Sequence, residues 1–146
     1  MTFNGENIKI SLQKSGRLAE KSLEILESVG LELDYSKDQL FARSRNFPLD
    51  VLFLRDDDIP EYVQDGVCDL GIVGENLVLE KKAKVKKLQG MNFGQCRLSL
   101  AVPEGAPESC LNDLRGKRIA TSFPTSLSGF LRKKKINAEI IKIRGS

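Results

Sequence analysis

Short apolar runs alternate along the chain with amphipathic stretches that end at glycine or proline. The runs have the length and composition of strands and fall at residues 8–12, 51–54, 70–73, 118–121 and 138–143. The run at 51–54 is continuously apolar, which is typical of a strand covered on both faces of a parallel sheet. Strands that alternate with helical stretches in this order predict an α/β fold.

The segment 50–76 predicts a strand–helix–strand unit, and we expect the rest of the first lobe to be arranged around it. Asp58 followed by Glu61 predicts a capping box, Pro60 suits the first helical turn, and Gly66 predicts the helix end. The connection in such a unit is expected to be right-handed. Both strands end in polar residues, at the edge where open α/β sheets bind ligands.

Two lobes are predicted, divided at the segment 103–107, which is rich in proline and glycine. We assign residues 1–102 to a first α/β lobe and residues 103–146 to the start of a second. Because the chain stops directly after an apolar strand, the second lobe is expected to be incomplete. Further strands are predicted at 31–35, 39–43 and 97–102, a turn at 36–38, and helices at 18–29, 77–82, 109–114 and 122–135.

Composition narrows the classes of function. The net charge of +3 over 146 residues comes without a basic stripe interleaved with aromatic residues, so no nucleic-acid partner is expected. The three cysteines are odd in number and include no CxxC pair, which favours reduced thiols and a cytoplasmic location. No apolar run approaches the length of a membrane span, so no membrane partner is expected.

The chain contains no histidine. A Ser-His-Asp or Cys-His mechanism is therefore excluded within it, and so are histidine-ligated metals. Acid, base or charge-stabilising chemistry would have to come from carboxylates, lysine, arginine, tyrosine, hydroxyl groups or backbone N–H groups.

Polar residues follow several of the predicted strands and are candidates for ligand binding. Lys14, Gly16 and Arg17 lie between the first strand and a helix, where the helix dipole and free N–H groups add to two cationic side chains. The alternative is a solvated turn between strand and helix. Thr121 and Ser122 occupy the same kind of position in the second lobe, where they could meet a phosphate.

Charged residues at the next two strand ends each have more than one interpretation. Arg55 could bind phosphate or carboxylate, or could form a salt bridge with one of the three aspartates that follow it. Those aspartates could hold Mg²⁺, although we favour a helix-capping role and predict no metal held by the protein alone. Gly74, Glu75 and Asn76 follow the second strand and are placed to touch a ligand.

Two further charged residues are weaker candidates. Asp69 could contact a ligand, an arginine or a backbone N–H group beside its strand. Arg97 opens a predicted strand, and it could contact a ligand, pair with Glu75 or lie at a solvated edge. The lysine-rich run 81–87 is interpreted as solvated surface.

Five of these segments together resemble the ATP phosphoribosyltransferase family. They read QKSGRL at 13–18, RDDDIP at 55–60, DLGIVGEN at 69–76, CRLSLA at 96–101 and GKRIATS at 116–122. Each motif alone is unspecific, but the set occurs in order over nearly the whole chain. The first two motifs resemble the long form of the family, which carries its own regulatory domain.

The resemblance implies a type II periplasmic-binding-protein-like fold of two lobes, with the substrates in the cleft between them. It implies transfer of the phosphoribosyl group of phosphoribosyl pyrophosphate (PRPP) to N1 of ATP, assisted by Mg²⁺, in the first step of histidine biosynthesis. Arg55 and Glu75 are then the catalytic candidates. The substrate-binding candidates are Lys14, Gly16, Arg17, Asp69, Gly74, Asn76, Arg97, Thr121 and Ser122.

The resemblance also implies that a full-length member of the family contains segments that are not among these 146 residues. Its phosphoribosyl-binding loop and its histidine-sensing C-terminal domain would follow residue 146, so we expect the 146 residues alone to be inactive. The full-length enzyme is expected to form homo-oligomers, either dimers or hexamers, and to be subject to feedback by histidine. The alternative is a non-catalytic small-ligand sensor module with the same fold.

Overall fold

The computed structural model describes residues 7–36 and 39–144, which fall into two compact units divided between Gln95 and Cys96. Unit 1 comprises residues 1–95 and unit 2 comprises residues 96–146. The lobe boundary expected at 103–107 stays a prediction. Within the described residues, no helix is both long enough and apolar enough to span a membrane.

Unit 1 is built on one mixed sheet of five strands, in the order β2-β3-β4-β1-β5. Its strands are β1 (Ile8–Gln13), β2 (Leu33–Asp34), β3 (Phe41–Ser44), β4 (Leu49–Leu54) and β5 (Leu70–Gly71), and its helices are α1 (Arg17–Ser28), α2 (Ile59–Gln64) and α3 (Glu75–Lys81). β1 runs parallel to both β4 and β5, whereas β2, β3 and β4 pair in antiparallel fashion. The α/β fold class is therefore confirmed.

The core of unit 1 lies on the two central strands. Leu12 on β1 and Val51 on β4 are fully buried, and their neighbours form one apolar cluster with Leu26 of α1. The buried hydroxyl of Ser11 is satisfied because it donates to the carbonyl of Leu70, 3.1 Å away. Along the continuous apolar run of β4, Val51 and Phe53 are buried whereas Leu52 and Leu54 are half-buried, so one face is covered and the other only in part.

β4, α2 and β5 form the predicted strand–helix–strand unit, but β1 lies between its two strands. The second strand is shorter than predicted, since the ladder ends at Gly71 apart from a bond from Ile72 N–H to the carbonyl of Ser11. Pro60 lies in the first turn of α2, and Gly66 follows the helix with a positive φ of 73°, both as predicted. The handedness of the connection stays a prediction.

The capping box at Asp58 and Glu61 is not formed, so that prediction is wrong. Asp58 occupies the N-cap position but has helical φ and ψ of −87° and −26°, and its side chain makes no capping hydrogen bond. Capping needs an extended backbone at this position, because only then does the side chain face the free N–H groups. Glu61 instead reaches the amino group of Lys81 on α3, 3.5 Å away.

Two other predictions concern strands at the periphery. The predicted pair 31–35 and 39–43 is present as the shorter β2 and β3, while Lys37 and Asp38 of the predicted turn lie outside the described residues. The strand predicted at 97–102 is absent, which corrects the sequence interpretation. No described strand runs beside this segment to form a ladder with it, and the side chain of Leu98 is 57% exposed.

Unit 2 contains a parallel pair of strands joined by a helix. β6 (Arg118–Thr121) and β7 (Glu139–Lys142) pair in register, and α4 (Pro124–Lys134) connects them. A short 3₁₀ turn, Leu111–Leu114, precedes β6. The buried apolar residues in the described part of this unit are Leu131 and Ile136, which are 4% and 6% exposed.

Candidate functional site

The carboxyl ends of β1 and β4 bring two of the predicted cations to one edge of the sheet. Gln13 and Leu54 are partners in the parallel ladder, and the N–H of Lys14 donates to the carbonyl of Leu54 at 2.7 Å. Lys14 and Arg55 therefore leave adjacent strands at the same level. This is the edge at which open α/β sheets bind ligands.

The loop between β1 and α1 exposes its cations. Gly16 caps α1 with a φ of 89°, a left-handed conformation that favours glycine, and no side chain caps the helix. Lys14 and Arg17 are exposed and have no carboxylate within 4.0 Å among the described residues. The free N–H groups of the first turn and these two cations together suit an anion.

A buried amide lies directly beneath this loop. Among the described residues, Gln13 Oε1 is the buried side-chain oxygen that has no hydrogen-bond partner. A Cβ added at Gly16 would lie 3.8 Å from Gln13 Nε2, so the amide lies close beside the loop at Gly16. Sequence reasoning missed Gln13, because an amide at a strand end has no distinguishing pattern.

Arg55 does not pair with the aspartates that follow it. The Oδ1 atom of Asp56 accepts the N–H of Asp57 at 2.9 Å, and Asp57 in turn lies 3.9 Å from the amino group of Lys81. Within the described part of the chain, Arg55 has no ion pair. The salt-bridge alternative for Arg55 is thus not formed, and its guanidinium group is available to an anion.

The lysine-rich run holds three acidic groups in place. Lys81 lies within 4.0 Å of Asp57 and Glu61, which ties α3 to α2. Lys87 contacts both carboxylate oxygens of Glu75, at 3.1 and 3.0 Å. The run is exposed, as predicted, but these side chains are engaged rather than free in solvent.

Glu75 begins α3 and faces solvent at the end of β5. Its partner is Lys87, and the alternative pairing with Arg97 of unit 2 stays a prediction. Gly74 precedes it, and a Cβ at Gly74 would overlap the side-chain oxygen of Asn76. The glycine therefore leaves room for Asn76 to fold back over the turn.

Asp69 lies at the other end of the sheet. Its Oδ2 atom accepts the N–H of Lys9 at 2.8 Å, and its own N–H donates to the carbonyl of Lys9 at 2.9 Å. These two bonds fix the start of β5 against β1. The structure thus separates Asp69 from Lys14 and Arg55, and its ligand role stays a prediction.

The remaining candidates belong to unit 2. Thr121 ends β6, and its hydroxyl accepts the N–H of Phe123 at 3.0 Å just before α4. Ser122 is exposed beside it, at the carboxyl edge of this small sheet. Arg97 is exposed in an irregular segment.

A shallow cavity of about 450 Å³ opens on unit 1 beside α1. Sequence reasoning missed it, although the pair Phe93–Gly94 was a usable signal. Gly94 has a φ of 66° and lies so close to Leu18 that a Cβ there would force the Leu18 side chain to move. The cavity thus lies between Arg17, a predicted site residue, and the loop at residues 93–95. Its lining residues are Arg17, Glu20, Lys21, Phe93, Gly94 and Gln95.

Two buried titratable groups lie away from these residues. The carboxylate of Asp50, at the amino end of β4, accepts hydrogen bonds from Arg43 at 2.9 Å and Asn7 at 3.0 Å, and the bond from Arg43 chiefly lowers its pKa. Burial raises the pKa of the Cys68 thiol. Cys96 and Cys110 are exposed, and all three cysteines are free.

Similarity to known proteins identifies the family to which these residues belong. The family model HisG, described as ATP phosphoribosyltransferase, matches residues 55–146. The ATP phosphoribosyltransferase of Cytophaga hutchinsonii is 45% identical over 139 residues, covering 95% of this chain and 49% of that protein. That of Xylella fastidiosa strain M12 is 44% identical over 150 residues, covering 97% and 49%. The chain spans about half the length of these curated relatives.

A solved structure matches the fold. The ATP phosphoribosyl transferase (HisG:HisZ) complex from Thermotoga maritima contains a chain that superimposes with a TM-score of 0.68 at 23% identity, covering 95% of this chain and 65% of that one. The periplasmic-binding-protein-like fold expected from the sequence is therefore confirmed. The family match spans well over half of the residues, and the chain belongs to the ATP phosphoribosyltransferase family.

Proposed function

We propose that this chain supplies the N-terminal part of an enzyme that transfers the phosphoribosyl group of PRPP to N1 of ATP, releasing pyrophosphate. One observation carries the proposal: relatives of this name are 43–45% identical over at least 95% of the chain. The resulting phosphoribosyl-ATP would enter histidine biosynthesis.

The exposed cations at the carboxyl edge of unit 1 suit this reaction. Departure of pyrophosphate from the ribose develops negative charge on the leaving group, which positioned cations stabilise. Lys14, Arg17 and Arg55 have no carboxylate partner among the described residues, so they can bind the phosphates of either substrate without first breaking an ion pair. No covalent nucleophile is needed, and the lack of histidine is no obstacle.

Glu75 and its neighbours are proposed to orient the substrate. Both carboxylate oxygens of Glu75 are held by Lys87, and the pair is exposed. A ribose hydroxyl or an adenine amino group could donate to this carboxylate at small cost, because exposed ion pairs contribute little. Gly74 and Asn76 shape the same turn. In unit 2, Thr121 and Ser122 are proposed to bind a substrate phosphate.

Mg²⁺ is expected to accompany the reaction, but the described residues form no site for it alone. No group of three metal-ligating side chains is present among them. Mg²⁺ retains several waters and binds through substrate phosphates when few carboxylates are offered. Any Mg²⁺ is therefore expected to enter the site with the substrate phosphates.

A charge reversal at Arg55 tests the proposal in a protein extended to the length of its relatives. Arg55→Glu is expected to lower kcat/KM at least about a hundredfold, since it removes a cation from the leaving group and adds a repelling charge. Steady-state formation of phosphoribosyl-ATP from ATP and PRPP measures this. Arg45→Glu is the matched control, because Arg45 lies on the surface in an exposed pair with Asp34.

Two outcomes would contradict different parts of the proposal. Near-normal rates for Arg55→Glu would show that this residue is structural. Absence of product from the unmodified extended protein, with both substrates and Mg²⁺ present, would reject the activity itself.

Partners and location follow the family and remain proposals. We expect the full-length enzyme to form homo-oligomers, to respond to histidine and to act in the cytoplasm. Family membership supports these expectations.

A further inference from the structure

Unit 2 carries a concentrated group of cations at one end of its sheet, which we call the basic surface. It consists of Arg115, Lys117, Arg118, Arg132, Lys133, Lys134 and Lys135, all exposed. β6 and β7 are parallel, so both begin at this end, and α4 runs back between them and ends here too. Two backbone bonds join the segments: Gly116 N–H to the carbonyl of Asn137 at 2.7 Å, and Glu139 N–H to that of Lys117 at 2.8 Å.

Most of this charge is not neutralised within the unit. Lys117 pairs with Glu108 at 2.8 Å, and no other member of the basic surface has a carboxylate within 4.0 Å across residues 96–144. The carboxylate of Asp113 is engaged by the N–H groups of Ser109 and Cys110. Unit 2 holds ten of the 23 cations but four of the 20 carboxylates, so its net charge is +6 while that of unit 1 is −3.

The dipole of α4 explains only part of the arrangement. Cations in the last helical turn are favoured by the partial negative charge at the helix end, and Arg132, Lys133 and Lys134 lie there. Arg115 and Arg118 lie outside α4, so they are not part of its last turn. Without an external anion, the neighbouring like charges repel one another.

An apolar side chain adjoins the charges. Phe130 lies three and four residues before Lys133 and Lys134, so the three side chains share one face of α4. Its side chain is 38% exposed. An aromatic anchor rimmed by charged groups is the usual make-up of a protein-binding surface.

The basic surface is distinct from the candidate substrate site. Thr121 and Ser122 follow the carboxyl end of β6, whereas the basic surface lies at the amino end of the same strand. A substrate phosphate bound at one end would not occupy the other. The inference therefore does not rest on the proposed transferase activity.

We propose that the basic surface binds an acidic segment of another protein that presents an apolar side chain to Phe130. Nucleic acid is the less favoured partner, because single strands are held by several stacking aromatics and this surface has one. The cations would steer the encounter, and Phe130 would supply the buried contact.

A fluorescent glutamate-rich peptide with a central leucine is the probe, and anisotropy with the unmodified chain at low salt is the measurement. The double variant Lys133→Gln, Lys134→Gln is expected to weaken binding about fivefold or more. The matched control, Lys84→Gln with Lys86→Gln, removes the same charge from exposed positions of unit 1 and is expected to change affinity less than about twofold. Phe130→Ala is expected to weaken binding without changing its salt dependence.

Each contrary outcome overturns the proposal. An equal loss in both double variants would mean that only total charge matters. Displacement of the peptide by an equally charged single-stranded oligonucleotide at lower concentration would assign the surface to nucleic acid. Absence of peptide binding at low salt, with circular dichroism showing a folded sample, would mean that the surface is solvated only.

Discussion

Asp50 is a buried carboxylate, and hydrogen bonds from neighbouring side chains allow it to stay charged. The side chain is 9% exposed, and it accepts charge-assisted and neutral hydrogen bonds from Arg43 and Asn7. The bond from Arg43 chiefly lowers its pKa. A carboxyl group with a lowered pKa in the folded state stabilises the fold above its unfolded pKa, and the stabilisation is lost as the pH falls through the folded value.

Asp50→Asn is therefore expected to lower the free energy of unfolding at pH 7 by about 1–2 kcal/mol, because it removes a charge-assisted bond to a buried group. The difference from the parent protein should shrink as the pH falls through the lowered pKa of Asp50, because its carboxylate is then protonated. Urea unfolding at pH 7 and at a series of lower pH values measures this. Asp34→Asn is the control, because its pair with Arg45 is exposed on both sides and should change stability by less than about 0.5 kcal/mol. Equal effects of the two substitutions would contradict the interpretation.

Single residues also show where sequence reasoning stopped. The positive φ at Gly16 and Gly66 could be anticipated, because glycine beside a helical pattern commonly marks a helix end. Whether Asp58 caps the helix could not be predicted from its residue type, because capping depends on a backbone conformation that the sequence does not determine. Likewise, the engagement of Glu75 by Lys87 depends on where a loop twelve residues on returns to the helix.

Among the elements, α2 and β5 meet at a glycine. A Cβ at Gly71 would lie 2.7 Å from a methyl carbon of Ile59, 2.9 Å from one of Val63 and 3.0 Å from the hydroxyl of Ser11. No L-residue side chain fits there without moving α2. The close approach of helix to sheet also sets the position of the turn that carries Glu75.

Gly71→Ala is expected to destabilise unit 1 by about 2 kcal/mol, because overpacking forces the helix outward. Gly90→Ala is the matched control: a Cβ at Gly90 has no heavy atom within 4 Å, so its effect should stay within about 0.5 kcal/mol. Thermal unfolding followed by circular dichroism distinguishes them. A Gly71→Ala protein as stable as the control would show that α2 can shift freely.

The type of an element was predictable from sequence where its residues reflect the neighbours that cover it. The run at 51–54 is flanked by β1 and β3, and its apolar character reports this burial directly. The segment 97–102 has an equally strong strand pattern, yet it forms no ladder with any described strand. A high strand propensity means that a segment is able to pair with another strand. Whether it does so depends on a second strand being placed next to it.

For the whole molecule, the two units differ in how much apolar surface they bury. The apolar cluster of unit 1 joins three strands and a helix, whereas Leu131 and Ile136 are the buried apolar residues in the described part of unit 2. Two parallel strands and one helix offer little area to offset chain entropy. Unit 2 is thus the less stable part of the chain.

Native-state hydrogen exchange should therefore show two levels of protection, with the amides of β6 and β7 exchanging well before those of β1 and β4. Gly129→Ala lies in α4, where a Cβ meets nothing within 4 Å, and should stabilise unit 2 alone by roughly 0.5–1 kcal/mol. Gly71→Ala should lower protection in unit 1 alone. Uniform shifts in both units for either variant would show that they unfold together.

The pairing of β1 with β4 has a consequence for how unit 1 reaches its fold. Ile8 lies opposite Leu49, so the central ladder joins positions about forty residues apart and cannot start from a tight turn. The antiparallel contacts of β2, β3 and β4 are more local and can form first. Docking of β1 into the gap between β4 and β5 is then expected to be the slow step, because β1 is synthesised before both strands that flank it and must wait for them.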